Sequence, residues 1–415
     1  SMVSYIMETA FKYPNMYAIS YYNNKITYKE FVDKIIECAK SLRTIGVGEG
    51  DVVSICMPNT PSALYMFYAV NMVGAVANMI HPLSSEKEIE MYLNKTKSKV
   101  IMTIDINYKK VINIINNTSV KKVIVSSAGD DLVGFKKLMY SVFTTDVTKA
   151  IKKIRQVFLK AFQNREVLSF KKFIQCGSSY YEDYAVSRDD LAVILYSGGT
   201  SGTPKGIKLS NLSFNALAYQ AHYMCDPAKA GDSILCIMPI FHGFGLGVCI
   251  HTCLHIGMMC ILVPTFKGKE LGKLIRRTRP NFMVGVPTLF EALYNNKKLK
   301  EKDFSSINCI VSGGDIMDSE NLKKYNNMFQ KYGSKAKIRV GYGLTEACAA
   351  TCLSPTLVSR ERGIGIPFPD MVYKIVKLGT FKEADVMEDG EICICGPTVM
   401  QGYLDEEEET LNTLK

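Results

Sequence analysis

The fifteen residues Tyr196–Ser210, YSGGTSGTPKGIKLS, hold four glycines, four small hydroxyl side chains ahead of Lys205 and one proline. Gly198 and Gly199 let the backbone turn tightly and bring several N–H groups onto one anion. Ser197, Thr200, Ser201 and Thr203 add side-chain donors, and Lys205 adds a compact positive charge suited to phosphate. This is the chemistry of a polyphosphate cradle; the plainer reading is a flexible Gly/Ser/Thr surface loop. Two commoner phosphate loops do not fit. G-x-x-x-x-G-K-[ST] puts lysine directly after the last glycine, whereas here Lys205 precedes Gly206. The dinucleotide string G-x-G-x-x-G is missing from the run.

Three further strings carry chemistry. In GYGLTE, Gly341 and Gly343 flank Tyr342, which reads as a flat stacking platform for a base. Thr345 is then placed to touch phosphate and Glu346 to hold Mg²⁺, since a carboxylate beside polyphosphate oxygens is a usual Mg²⁺ environment. Alone, the string is a turn after a strand. SGGD, Ser312–Asp315, ends the β-branched run INCIV and by itself reads as a tight loop. PIFHGFG sets His242 among aromatic residues, where a lone histidine is more often a satisfied core residue than a catalyst.

Together with GEICICGPTVMQGYL (Gly390–Leu404), these strings resemble, in one order, the motifs of the adenylate-forming (AMP-binding) superfamily. The likeness is to its acyl-CoA synthetase, 4-coumarate–CoA ligase and luciferase-like branch. The family's phosphate loop reads roughly YSSGTTGxPKGV; this chain departs from it at Gly198 and Ser201, both small. The resemblance implies that a carboxylate attacks the α-phosphorus of ATP to give an acyl-adenylate and pyrophosphate, and that coenzyme A then takes the acyl group as a thioester. It assigns Ser197, Gly198, Gly199, Thr200, Ser201, Thr203 and Lys205 to the β,γ-phosphates, Thr345 to the α-phosphate and Glu346 to Mg²⁺. Tyr342, with Gly313, Gly314, Asp315, Gly341 and Gly343, would form the adenine pocket. His242 would bound the carboxylate, making His242, Thr345, Glu346 and Lys205 the catalytic set. Phe244, Val284, Gly285 and Ala347 would line the acyl pocket with His242. Peptide-synthetase relatives carry an aspartate near this histidine to pair an α-amine; no acid stands between Phe241 and Gly247, which favours a fatty or aryl acid. Loading of a carrier-protein thiol with a non-amino acid, and a non-catalytic nucleotide-binding remnant, remain alternatives. In the family the chain continues to a Thr-Gly-Asp and a mobile small domain with a catalytic lysine. The resemblance therefore implies the large N-terminal domain alone, with little full activity by itself.

Elements must hold these strings in place. TYKEFVDKIIECAKSLRTIG spaces Phe31, Ile35, Ile36, Ala39 and Leu42 as one helical face, and DVVSICMP reads as a short buried strand. NTPSALYMFYAVNMVGAVANMI reads as one apolar helix, GLGVCIHTCLHIG as another, and runs such as SKVIMTID, MMCILVPTF and NFMVGVP as strands. Such alternation predicts an α/β fold with helices over parallel sheets. We expect two βα-layered subdomains, residues 2–180 and 181–355, and a β-rich barrel or sheet over 356–415. A basic insert-like segment at 134–178 lies within the first.

The chain has 415 residues, a net charge of +10 and 47% hydrophobic content, ample for several cores. Ten Lys/Arg against two acids between Phe135 and Phe173 account for most of that charge. There, Val147, Ile151, Ile154, Phe158 and Phe162 share a helical face under a basic one: a surface helix on its own core, or a peripheral contact with anionic membrane over 135–173. No nucleic-acid-binding signature accompanies the charge. Thirteen cysteines without C-x-x-C spacing read as reduced thiols of a cytoplasmic protein. Ser1 ahead of Met2 reads as a protease scar before a native methionine and is set aside in reading the fold.

Overall fold

The computed structural model describes residues 1–132, 166–177, 185–197, 204–225, 228–266, 268–355 and 363–415. Two large sheets organise them. The first has seven strands in the spatial order Glu166–Ser169, Lys122–Ser126, Val100–Ile104, Val52–Cys56, Val76–Met79, Leu191–Ser197 and Lys205–Ser210. Neighbours run parallel except the last pair, an antiparallel hairpin. The second has nine strands. Ile338–Tyr342, Cys309–Ser312, Phe282–Gly285, Ser233–Cys236, Met259–Leu262 and Tyr17–Tyr21 lie side by side and parallel, with short antiparallel strands at both edges. A third sheet pairs Val372–Val376 with Glu391–Cys395, antiparallel.

One apolar cluster runs from Met2 to Tyr403 and joins both large sheets. The helix Pro61–Met72 is buried at every residue, as a helix apolar all round must be. It is shorter than the periodicity predicts. It ends at Val73, Gly74 turns the chain at φ +73°, and Val76–Met79 becomes a strand between Val52–Cys56 and Leu191–Ser197. A continuous apolar run fits a buried helix and a buried parallel strand equally, so the pattern cannot mark that break. The strands also cross the expected boundary at 180/181. Tyr17–Tyr21 and Asn24–Thr27 join the second sheet, while Leu191–Ser197 and Lys205–Ser210 complete the first. The Ser1 hydroxyl accepts from the Ser4 N–H at 3.2 Å and caps the helix Met2–Lys12.

Most of the basic segment, with its amphipathic face, lies outside the described residues. Within it, Glu166–Ser169 is an edge strand and Phe170–Gln175 a helix that buries Phe170 and Phe173. No helix among the described residues is long and apolar enough to cross a membrane.

Candidate active site

The phosphate-loop string caps a hairpin. Ser197 pairs with Lys205 and Tyr196 with Gly206, so these two strands hold both ends of the loop; Gly198, Gly199, Thr200, Ser201 and Thr203 lie outside the described residues. The tail string docks along the outer strand. Gln401 N–H donates to the Lys208 carbonyl at 2.8 Å, Lys208 N–H to Gly402 at 3.0 Å and Leu404 N–H to Gly206 at 2.7 Å. Tyr403 is thereby fixed between two functional groups. Its ring lies 5.1 Å beneath the Lys205 ammonium, and its hydroxyl donates to Glu346 Oε1 at 3.0 Å. Burial and the neighbouring Glu346 carboxylate push the Tyr403 pKa up to about 12, so it stays a donor at any physiological pH. Lys205 also pairs with Glu409 at 2.7 Å, on the helix Glu407–Thr413.

The His242 loop is held from the other sheet. Buried Asn59, just past the strand Val52–Cys56, donates through Nδ2 to the carbonyls of Cys236 and Met238 at 3.1 and 2.9 Å. Its Oδ1 accepts from the Ile240 N–H at 3.0 Å. His242 N–H closes the turn on Pro239 O at 3.1 Å, and the chain enters a wide helix, Phe244–Thr252, wound with a π-type repeat. Such turns are uncommon and recur at functional sites. His242 faces the cleft, and desolvation of its ring lowers its pKa, keeping the imidazole neutral near pH 7. The pKa of His81 is lowered too, chiefly by burial and in smaller part by the nearby His242.

Tyr342 ends the strand Ile338–Tyr342, and the chain then folds back sharply. Ala347 N–H and Ala349 N–H both donate to Leu344 O at 3.0 Å, with Cys348 and Ala349 at positive φ. A Cβ at Gly343 would stand 1.5 Å from Ala349 O, so only glycine fits there. This curl turns Thr345 toward the cleft and Glu346 toward Tyr403.

These pieces enclose a cavity of about 210 Å³. His242, Phe244, Val284, Gly313, Gly314, Gly341, Tyr342, Gly343 and Thr345 line it together. Its mouth is at the carboxyl ends of the central parallel strands, the usual ligand position in such sheets. Its walls continue past Ile234, Met258 and Phe282, at or near the amino ends of three of them, so it runs the length of the sheet under the helix Asn211–Met224. No carboxylate lines it among the described residues, and His242 is its one titratable nitrogen.

Some expected residues fall elsewhere. Gly285 is outside the lining because its Cα faces Leu289, where a Cβ would meet Cδ2 at 2.3 Å. Ala347 is buried beneath the curl, and Ala349 and Ala350 line the cavity instead. Asp315 is exposed beyond it. Ser197, Lys205 and Glu346 belong to the hairpin side, linked through Tyr403 rather than through the cavity wall. Sequence reasoning missed Asn59 and the roles of Tyr403 and Cys225, which lines the deep wall; of these, only Tyr403 sat within a recognised string.

The family model for AMP-binding enzymes matches residues 6–404. A long-chain-fatty-acid–CoA ligase of Bacillus subtilis (strain 168) is 28% identical over 424 aligned residues, covering 100% of this chain and 72% of that protein. One of Haemophilus influenzae is 30% identical over 88% of this chain and 64% of its own length. Among solved structures, the anthranilate–CoA ligase AuaEII in complex with anthranoyl-AMP superposes with a TM-score of 0.85 at 19% identity, over 100% of this chain and 72% of that one. A long-chain-fatty-acid–CoA ligase (FadD1) from Archaeoglobus fulgidus gives 0.84 at 23%, over 99% and 78%. Because the family model's match spans nearly the whole chain, the chain belongs to the AMP-binding enzyme family.

Proposed function

We propose that this chain carries the adenylating cleft of an AMP-forming acid–thiol ligase whose acid is a fatty or aryl acid without an α-amine. Family membership and the fatty-acid and aryl-acid ligases among its relatives support activation as an acyl-adenylate followed by transfer to coenzyme A. In the first step a carboxylate oxygen bonds to the α-phosphorus of ATP and the bond to the departing pyrophosphate breaks. In the second, the coenzyme A sulfur bonds to the acyl carbon, AMP leaves and the thiol proton is released.

The observation that carries the acid class is the cavity wall. Among the described residues an α-ammonium would find no carboxylate there, and burying an unpaired charge is costly. The space of about 210 Å³ exceeds the roughly 150 Å³ that holds a benzene ring, and beyond His242, Tyr342, Thr252 and Thr345 the side chains that line it are apolar residues and cysteines. Catalysis is then positioning and charge stabilisation. Tyr342 stacks on adenine, Thr345 holds the α-phosphate, and the hairpin with Lys205 receives the β,γ-phosphates. A neutral His242 hydrogen-bonds the carboxylate without quenching the negative charge it needs for attack.

Mg²⁺ fits Glu346: one carboxylate suffices when phosphates and water complete the shell, and Oε2 has no partner among the described residues. The ion would neutralise phosphate charge. All thirteen cysteines are free, in keeping with a reducing, cytoplasmic setting.

Pyrophosphate exchange measured across fatty, aryl and α-amino acids tests this reading. Fastest exchange with a fatty or aryl acid is expected; fastest exchange with an amino acid overturns it.

A further inference from the structure

A second cavity, about 820 Å³, runs beside the helix Gly268–Thr278, away from the cleft. Lys269, Lys273, Arg276, Arg277, Lys298 and Lys300 line it, against one lining carboxylate, Glu270. Arg276 is committed: its Nε and Nη2 hold Asp303 at 2.6 and 2.7 Å. The other five are exposed, and among the described residues none forms an ion pair. Lys269, Lys273 and Arg277 recur at four-residue steps, so they share one helix face and span about 10–12 Å along it.

This is not how the protein treats an ordinary basic helix. On Tyr28–Thr44, Lys29 pairs with Asp33 four residues on and Lys34 with Glu37 three on. Along Gly268–Thr278 the like charges instead converge on a concavity without matching acids, where they repel one another unless an anion joins them. Thr265 and Asn23 add neutral hydrogen-bonding groups to the wall, and the exposed Phe266 and Tyr22 rings border it. The strand end Ile261–Leu262 feeds this wall, so the groove opens on the same sheet edge as the cleft, two strands away from Phe282–Gly285.

We propose that this groove binds phosphate esters arrayed over about 10–12 Å, as a site separate from the nucleotide cleft. Lysine and arginine set a few ångströms apart are the side chains that hold such groups. The phosphates come either from a soluble polyphosphorylated molecule or from the headgroups of an anionic lipid surface.

Two probes test it at low salt: inorganic tripolyphosphate by calorimetry, and sedimentation with phosphatidylglycerol-containing against pure phosphatidylcholine vesicles. The paired substitution Lys273→Glu/Arg277→Glu, at exposed positions, is expected to weaken binding by about tenfold or more. Lys87→Glu/Lys109→Glu, the same charge change on exposed residues beside the other sheet, is expected to alter it less than about twofold. Co-sedimentation with phosphatidylglycerol vesicles assigns lipid headgroups, and tripolyphosphate binding without co-sedimentation assigns a soluble ligand; both support the site. Failure to bind either probe, or equal weakening by the two paired variants, overturns it. So does loss on Lys205→Ala alone, which places all phosphate binding in the nucleotide cleft.

Discussion

Tyr403 touches both halves of the phosphate machinery, with its ring under Lys205 and its hydroxyl on Glu346. Tyr403→Phe keeps the ring and removes only the donor to a carboxylate, a bond of about 1.5–3 kcal/mol. We expect pyrophosphate exchange to fall by roughly tenfold or more with thermal stability little changed; an unaltered exchange rate would show that Glu346 needs no such support. Glu409 acts in the opposite sense, because its carboxylate occupies the lysine that phosphate would take. Half-exposed pairs of this kind contribute about 0–1 kcal/mol, so Glu409→Gln should tighten ATP binding by no more than about fivefold, read by calorimetry. Weaker binding in that variant would mean that Glu409 orients Lys205 rather than competing for it. Gly343 is the strictest position of the three. A methyl group there collides with Ala349 O, so Gly343→Ala should unwind the curl that aims Thr345 and Glu346. The predicted outcome is lost adenylation in a protein that still folds, checked by exchange kinetics beside circular dichroism.

The elements that aim these residues were unevenly legible. The strand ahead of GYGLTE follows from its β-branched run before glycine, and the structure has it, whereas the antiparallel return strand after the phosphate loop carried no such signal. The break between Pro61–Met72 and Val76–Met79 did not show either, since helix and parallel strand share an unbroken apolar pattern and only Gly74 marks the turn. Nor did the deep wall of the cleft, whose residues come from strand starts that resemble any other core position. Asn59 is the clearest omission. A lone asparagine after a strand carries no signal in sequence, yet it ties the first sheet to the His242 loop through three hydrogen bonds. Asn59→Ala leaves two carbonyls and one N–H without that partner, at about 1–3 kcal/mol for each group left unsatisfied. We expect a lower melting temperature together with a higher KM for the acid, because the loop that carries His242 loses its anchor. Full stability with unchanged KM would assign the loop's position to the π-type helix alone.

At the scale of the whole molecule, the two sheets are welded by polar groups sunk in an apolar core, and this fixes how the protein meets acid. His251 is fully buried. Its Nε2 lies 3.0 Å from Asn215 Oδ1, which only accepts, so Nε2 carries the proton and Nδ1 receives the Tyr68 hydroxyl at 3.2 Å. Tyr68 belongs to the helix Pro61–Met72 and Asn215 to Asn211–Met224, so the ring bridges two of the helices at the centre of the fold. Desolvation lowers the His251 pKa to about 3, against about 6.5 in an unfolded chain. His255, also chiefly desolvated, is lowered to about 4. A depressed histidine stays neutral in the native state while the unfolded chain takes up a proton. Stability is therefore full above about pH 6.5 and falls as pH drops from there toward 3, by up to about 1.4 kcal/mol per pH unit for His251. Over two units that is a large share of the 5–15 kcal/mol of a typical domain. His251→Gln removes the titration while keeping a polar group at the bridge. Urea unfolding at pH 7, 6 and 5 should show the variant less stable at pH 7 but with a stability-against-pH slope shallower by about 1 kcal/mol per unit. Identical slopes would mean that another buried group governs the acid response.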